Sequence, residues 1–199
     1  AMGCGQSLFD NRGDTDGGAD DSGTDGSVSS TCPSPCVADA AADFDGSPRG
    51  TSGNWRYLDD RRTRAWTAMT ANGLTFSGSD PANTITSCAE NPTAAACKAL
   101  PGALLVSSAG ATSGADPALE VTVPLSSIDK LTVRIHVPSG SPEQIVRIYR
   151  NSREDVLVTA AATPGTTLDR EVTLDALQGD RFLIAIAPEA MGAADIGVQ

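Results

Sequence analysis

Short runs in which apolar and polar residues alternate follow one another from about residue 54 to the end of the chain. The clearest is LTVRIHV, in which every second side chain from Leu131 to Val137 is aliphatic and His136 is among the polar residues between them. A period of two places the aliphatic side chains on one face of a strand and the polar side chains on the other. The run therefore predicts a β-strand with one face in the core and one in water.

The whole series of runs predicts an all-β domain. Ten short, β-branched runs are separated by Gly, Pro, Asn, Asp or Ser: GNWRYL, LTFSG, NTITS, ALLVSS, ALEVTVPL, KLTVRIHVP, EQIVRIYRN, DVLVTAAA, REVTLDAL and DRFLIAIAP. Such runs are typical of an antiparallel β-sandwich, here of the jelly-roll type. FLIAIA is apolar on both faces and predicts a central strand. NPTAAACKAL predicts a small helical turn, the one exception to the β pattern.

The N-terminal part of the chain has a different composition. Residues 10–31 contain no apolar residue except Ala19 and Val28. Such a segment cannot bury enough apolar surface to offset the entropy of ordering. We interpret residues 1–31 as a disordered acidic tether rich in Gly, Asp and Ser, and residues 32–199 as the β-sandwich domain.

Charge narrows the choice of partners. The net charge is −11, and residues 1–50 hold nine Asp against two Arg. The remaining arginines are scattered along the sequence, which gives a polyanion little to hold, so we expect no nucleic-acid partner. No run approaches the roughly 18 apolar residues that would span a bilayer.

Five cysteines indicate an oxidising compartment. Cys32 and Cys36 form one local pair, Cys88 and Cys97 form another, and Cys4 is left over. We predict two disulfides, Cys32–Cys36 and Cys88–Cys97, on the ground of proximity. Zinc and free thiols are the alternatives, but the spacings are poor for zinc ligands and the single histidine is far away.

The odd cysteine suggests an anchor. Cys4 follows a glycine and precedes a hydrophilic tail, and in this it resembles the acceptor cysteine of a bacterial lipoprotein. The resemblance implies membrane contact only through a lipid anchor, with the folded part facing the periplasm or standing on the outer-membrane surface. The alternative is an adventitious free thiol.

A family resemblance covers roughly residues 43–199. The run DFDGSPRGTSGNWRYLDDRRTRAWTAM, with ALEVTVP, VRIYRNSREDVL and LQGDRFLIAIAPEAMGAADIG, resembles jelly-roll domains of secreted planctomycete and myxobacterial proteins. These domains resemble carbohydrate-binding modules, and in myxobacterial lipoproteins they commonly precede a laminin-G-like domain. The motifs are short, so they imply a fold more than a function.

The jelly-roll class implies one possible cofactor, a structural calcium ion. Jelly-roll carbohydrate modules often bind calcium between an acid near the first strand and an Asp before the last strand. The matching positions are Asp43 or Asp45 in DFDG and Asp195 in AADIG. Carboxylates and glycine carbonyls supply the oxygens that calcium needs. The alternative is that these residues form ordinary Asp–Gly turns.

Catalytic motifs are scarce. The sequence has no GxSxG, HExxH or phosphate-loop motif, and His136 is expected on the wet face of its strand. Acid doublets occur at Asp59–Asp60 and Glu154–Asp155. Neighbouring residues of a strand point to opposite faces, so neither doublet makes a catalytic pair by itself. The simpler interpretation is that the acids are solvated, or paired with the arginines beside them at Arg61, Arg62 and Arg153.

Aromatic side chains are the candidates for binding sugar, because a pyranose ring stacks on a flat π surface. They are Trp55, Tyr57, Trp66 and Tyr149. Trp55 and Tyr57 share a face, which is also the pattern of core anchors. Trp66 follows the charged run DDRRTR and is expected to be the exposed one.

These observations predict a non-catalytic binding or spacer module of a bacterial surface lipoprotein, with a polysaccharide or another surface protein as partner. A glycan-active hydrolase that uses paired carboxylates is the alternative from the enzyme class. A purely structural spacer is the third hypothesis.

Overall fold

The computed structural model describes residues 38–44, 51–52, 54–62, 65–124, 128–186 and 192–199. In these residues the chain forms fourteen β-strands, one α-helix and one short 3-10 turn. The first seven strands are β1 (Thr51–Ser52), β2 (Trp55–Arg61), β3 (Ala65–Ala68), β4 (Thr70–Asn72), β5 (Thr75–Ser77), β6 (Thr84–Ser87) and β7 (Leu104–Ser108). The other seven are β8 (Ala115–Thr122), β9 (Ile128–Val137), β10 (Gln144–Arg150), β11 (Val156–Ala162), β12 (Thr166–Ala176), β13 (Arg181–Ile186) and β14 (Ala194–Val198).

The strands form two sheets. Sheet A has the order β1-β2-β8-β13-β10-β11, with β3 also paired to β2, and sheet B has the order β12-β9-β14-β7-β6-β5-β4. All the pairings between these strands are antiparallel. Successive strands repeatedly change sheet, so half of the strand pairings join strands that are not consecutive along the chain. The predicted antiparallel jelly-roll sandwich is confirmed.

The inner faces of the two sheets form the main core. β9 shows how the sequence pattern produces it, because Val133, Ile135 and Val137 are buried while His136 is only half-buried. The largest fully buried side chains of this core include Tyr57, Phe76, Leu119, Ile135, Ile148, Phe182 and Ile196. β13 lies between β8 and β10, so the prediction that FLIAIA forms a central strand is confirmed.

A second apolar cluster lies on the outer face of sheet A. Leu58, Ala118, Leu183, Ala185 and Tyr149 are buried together there, and Trp66 packs against them. The register explains the grouping, because Leu58 pairs with Ala118, Ala118 with Ala185 and Leu183 with Tyr149 across four neighbouring strands. β2, β8 and β13 therefore bury residues on both faces.

The helix α1 (Ala95–Ala99) lies on the outer face of sheet B. A disulfide joins Cys97 in α1 to Cys88 just after β6, with 5.2 Å between their Cα atoms, which confirms that predicted pair. A Cβ atom at Gly197 in β14 would lie 3.2 Å from the carbonyl oxygen of Ala96. The glycine thus lets the helix backbone approach the sheet closely. In the described part of the chain no helix is long and apolar enough to cross a bilayer.

Candidate functional site

Two of the four aromatic candidates are core residues. Trp55 and Tyr57 are both buried, and the Tyr57 ring lies 4.5 Å from that of Phe76 and 5.3 Å from that of Phe44, measured between centroids. They share the inner face of β2, where a sandwich needs large apolar side chains. Trp55 and Tyr57 thus lie where core anchors lie. Their role as ligand residues stays a prediction, and their burial does not favour it.

The other two aromatic candidates meet on the outer face of sheet A. The ring centroids of Trp66 in β3 and Tyr149 in β10 are 6.3 Å apart, and the Arg153 guanidinium lies 5.9 Å from the first and 6.0 Å from the second. Tyr149 is only 3% exposed, whereas Trp66 is half-buried. Trp66 was expected to be exposed, but it packs against the outer cluster and covers part of it.

Arg153 is held by more than the two rings. Its guanidinium forms an ion pair with Asp60 and donates to the carbonyl oxygen of Arg61 at 3.1 Å. Burial lowers the pKa of Arg153, and the nearby charge of Glu154 opposes that shift. The Nε atom of Arg153 and the indole nitrogen of Trp66 are buried, and neither has a hydrogen-bond partner among the residues that the structure describes. Both donors lie beneath the surface beside the exposed part of the indole.

Acidic side chains are buried on the same face. Asp60 in β2 lies directly opposite Asp116 in β8, and both carboxylates are almost completely buried. Arg62 binds both Asp116 oxygens, at 2.7 and 2.8 Å. Asp59, the other half of the acid doublet, faces the opposite side of the sheet and accepts a hydrogen bond from the backbone N–H of Ser79. Glu154 and Asp155 are exposed.

A further carboxylate on this face holds two arginines. Glu120 in β8 is 1% exposed, and it lies 2.9 Å from Arg56 in β2 and 3.6 Å from Arg181 in β13. The two arginines use different Glu120 oxygens, and their side chains are 44% and 43% exposed. We call Arg56, Glu120 and Arg181 the arginine clasp. It carries a net charge of +1 in an acidic protein.

Next to the arginine clasp, the charges of Arg150 and Asp180 balance each other. Asp180 accepts hydrogen bonds from the Asn151 amide at 2.8 Å, from the backbone N–H of Leu177 at 2.9 Å and from Arg150 at 2.6 Å. These donors, the Asn151 amide first, lower the pKa of Asp180 because they stabilise its charged form. Arg150 is thus paired with Asp180 and adds no excess charge to the clasp.

The predicted calcium ligands Asp43 and Asp195 have different hydrogen-bond partners. The Asp43 carboxylate accepts from the backbone N–H of Asp39 at 3.1 Å, and Asp195 accepts from the Ser107 hydroxyl at 2.6 Å. Asp45 lies outside the described residues. Among the residues that are described, no group of three or more His, Cys, Asp or Glu side chains is arranged to hold a metal ion. The calcium site stays a prediction.

Asp195 also lines a shallow open depression of about 470 Å³ on the outer face of sheet B. Its walls come from α1, from the loop after β9 and from β7 and β14, and they include Ala95, Ala96, Ser107, Ser141, Ala194 and Asp195. The lining has no aromatic ring on which a sugar could stack. His136 lies on the same side of sheet B and contacts the Thr167 hydroxyl at 3.1 Å, as expected of a surface histidine.

Three of the predicted cysteine sites, at Cys4, Cys32 and Cys36, lie outside the described residues. Lipidation of the first and the disulfide between the other two stay predictions. The same holds for the boundary of the tether at residue 31.

The clasp could not be found in the sequence, because Arg56, Glu120 and Arg181 are more than 60 positions apart from one another along the chain. The arginines are scattered along the sequence, but the fold brings two of them together. A usable signal is present in the two strands: Arg56, Leu58 and Asp60 alternate along β2, and Asp116, Ala118 and Glu120 alternate along β8. Pairing these two strands in the right register places opposite charges side by side.

Comparison with known proteins gives no family. No protein-family model matches the chain, and no curated protein matches it. Among solved structures, the chain is similar to the K1 adhesin domain of Lys-gingipain from Porphyromonas gingivalis, with a TM-score of 0.45 and 13% identity over 76% of this chain and 94% of that one.

Two carbohydrate-binding modules are also similar in structure. A mutant of a family 29 module has a TM-score of 0.38 and 12% identity over 79% of this chain and 84% of that one. A family 61 module in complex with β-1,4-galactotriose has a TM-score of 0.37 and 11% identity over 79% of this chain and 97% of that one. Likenesses this distant carry no argument about function. The fold class, an antiparallel jelly-roll sandwich, follows from the strand order itself.

Proposed function

We propose that this chain is a non-catalytic glycan-binding module of a lipid-anchored bacterial surface protein. The observation that carries the binding role is the outer face of sheet A, where Trp66 lies beside Tyr149 and Arg153. In the described part of the chain, Trp66 is the one tryptophan or tyrosine that is not fully buried. A flat, partly exposed indole beside hydrogen-bond donors has the two properties that a sugar ring requires.

The same face does not favour the hydrolase alternative. Asp60 and Asp116 are the carboxylates that the fold brings together, and each is ion-paired with an arginine. A neighbouring guanidinium stabilises the charged carboxylate, whereas a glycosidase needs one carboxylic acid that carries a proton. The spacer alternative gives no reason for a half-exposed tryptophan beside buried, unpartnered donors.

Replacing Trp66 by alanine tests the glycan-binding proposal. We expect Trp66→Ala to weaken glycan binding on the order of tenfold or more, because the stacking surface is lost. Binding to a glycan array, followed by calorimetric titration of the strongest hit, measures the effect. Trp66→Phe keeps a ring and should retain part of the affinity. Leu177→Ala removes a 63% exposed apolar side chain elsewhere and is the control.

Thermal melting of each variant separates lost binding from lost folding. A variant that melts like the wild type and still binds the same glycan with unchanged affinity would show that Trp66 is not the stacking residue. Failure of the wild type to bind any glycan on the array would leave the spacer hypothesis as the better one.

Lipid anchoring at Cys4 is supported by the glycine–cysteine junction and by the odd cysteine count. The Cys88–Cys97 disulfide is typical of a protein outside the reducing cytoplasm. We expect the full precursor, expressed in a bacterium with a lipoprotein pathway, to take up a fatty-acid label and to lose it in the Cys4→Ala variant. Label that persists in Cys4→Ala, or that never appears in the wild type, contradicts the anchor.

A further inference from the structure

We infer that the arginine clasp binds the carboxylate groups of an acidic, uronate-containing polysaccharide. This inference rests on the proposed glycan-binding function and names the chemistry of its ligand. The clasp lies on the same outer face of sheet A as Trp66, since Arg56 and Asp60 are on the same side of β2 and Asp60 pairs with Trp66. Four residues along a strand span roughly 13 Å, so one extended glycan can reach both places.

The charge balance of the clasp is the first argument. One buried carboxylate faces two guanidinium groups, which leaves one positive charge without a counterion among the described residues. Both arginines remain more than two-fifths exposed, so the excess charge is presented to solvent. A guanidinium offers a planar fork of N–H donors that matches a carboxylate. A ligand carboxylate would complete a pattern of two arginines and two carboxylates.

The burial of Glu120 is the second argument. Besides the two arginines, its neighbours on the outer face of sheet A include the apolar residues Ala118 and Leu183, so an aliphatic side chain at position 120 would extend that cluster. Replacing buried ion pairs by packed apolar residues is often neutral or stabilising. A buried carboxylate here therefore has little value for stability, and its effect is to hold two arginines in fixed positions. Fixed arginines lose less entropy when a ligand binds.

A polysaccharide fits this face better than a nucleic acid does. The chain carries a net charge of −11, which repels a ligand with a phosphate at every unit. The excess positive charge of the clasp is small and local, as suits a polymer whose carboxylates are separated by uncharged ring surface. The half-buried Trp66 provides the apolar contact for that ring.

The test compares partly methyl-esterified polygalacturonate, in which neutral units separate the free carboxylates, with the fully esterified polymer, which has the same backbone and no charge. We expect the wild type to prefer the acidic form and to bind it less tightly as salt increases. Arg181→Gln removes the excess cation while Arg56 still neutralises Glu120, so this variant should fold and should lose on the order of tenfold in affinity for the acidic polymer. Its affinity for the fully esterified polymer should not change.

Arg134→Gln is the matched control, because Arg134 is also 43% exposed and ion-paired, with Asp169, but lies on the outer face of sheet B. It should bind both polymers like the wild type. The triple variant Arg56→Gln, Glu120→Gln and Arg181→Gln replaces the whole clasp by neutral groups of similar size. It should show no preference between the two polymers.

Three results would overturn the inference. They are equal affinity of the wild type for both polymers, an unchanged preference of Arg181→Gln for the acidic polymer, and single-stranded DNA that binds more tightly than the acidic polymer and depends on Arg181. A wild type that binds neutral glycans through Trp66 without preferring the acidic polymer overturns only the clasp as a carboxylate site. A wild type that binds no polysaccharide overturns both proposals.

Discussion

Phe76→Ala is expected to lower the free energy of unfolding by about 4 kcal/mol, because a fully buried phenylalanine leaves a cavity in addition to its lost transfer energy. Phe76 is in β5 of sheet B, and its ring contacts Tyr57 of sheet A at 4.5 Å and Phe44 at 5.6 Å between centroids. The ring therefore joins three separate segments of the chain. Urea unfolding followed by tryptophan fluorescence measures the loss.

Leu74→Ala is the control for Phe76→Ala, because Leu74 lies two residues away in the turn before β5 and is 45% exposed. Leu74→Ala should lower the free energy of unfolding by no more than about 1 kcal/mol.

Phe76→Ala should also increase proteolytic cleavage within residues 38–44, since Phe44 loses one of its two ring contacts. Equal costs for the two variants would show that Phe76 does not join the sheets.

Gly78→Ala is expected to cost about 3 kcal/mol although it adds only one methyl group. A Cβ atom at this position would lie 2.7 Å from the carboxyl carbon of Asp59, a buried residue. The side chain of Asp59 cannot move away freely, because it accepts a hydrogen bond from the backbone N–H of Ser79, in the loop between β5 and β6. The substitution therefore either overpacks the site or breaks a buried hydrogen bond to a charged group.

A double-mutant cycle with Asp59→Ala isolates that contact. Asp59→Ala should be destabilising by itself, since it leaves the Ser79 N–H without its acceptor. Once the carboxylate is gone, adding Gly78→Ala should cost less than about 1 kcal/mol. Gly114→Ala is a useful comparison: no atom lies near its Cβ position, so its cost reflects only its φ of 68°. Additive costs of Gly78→Ala and Asp59→Ala would contradict the contact.

The strand content of the domain could be predicted because the signal is local. Alternation along β9 predicted that Val133 and Ile135 are buried and that His136 is not, and the structure agrees. The Cys88–Cys97 disulfide could also be predicted, because its partners are only nine positions apart along the chain. The alternation is less clear in β2, where Tyr57, Leu58, Asp59 and Asp60 are all buried. That strand is covered on both sides, which its own sequence does not reveal.

The exposure of Trp66 could not be predicted from its neighbours along the chain. The charged run before it favoured an exposed side chain, yet Tyr149 and Arg153, more than 80 residues away, cover part of the indole. The alternation along β10 places the Tyr149 side chain on the outer face of sheet A. It is nevertheless only 3% exposed, because that face is covered at this position. Burial at the outer face depends on which long side chains lie over it.

The sequence by itself determined the class of secondary structure, the disulfide of α1 and the acidic composition, because each depends on spacing within about ten residues or on total counts. Only the tertiary structure decided which charges meet. Glu120 is 64 residues from Arg56 and 61 from Arg181, and it reaches both because β8 lies between β2 and β13 in sheet A. Strand order brings these residues together, and the burial of the carboxylate beneath the two arginines fixes where the excess positive charge of an acidic protein is presented.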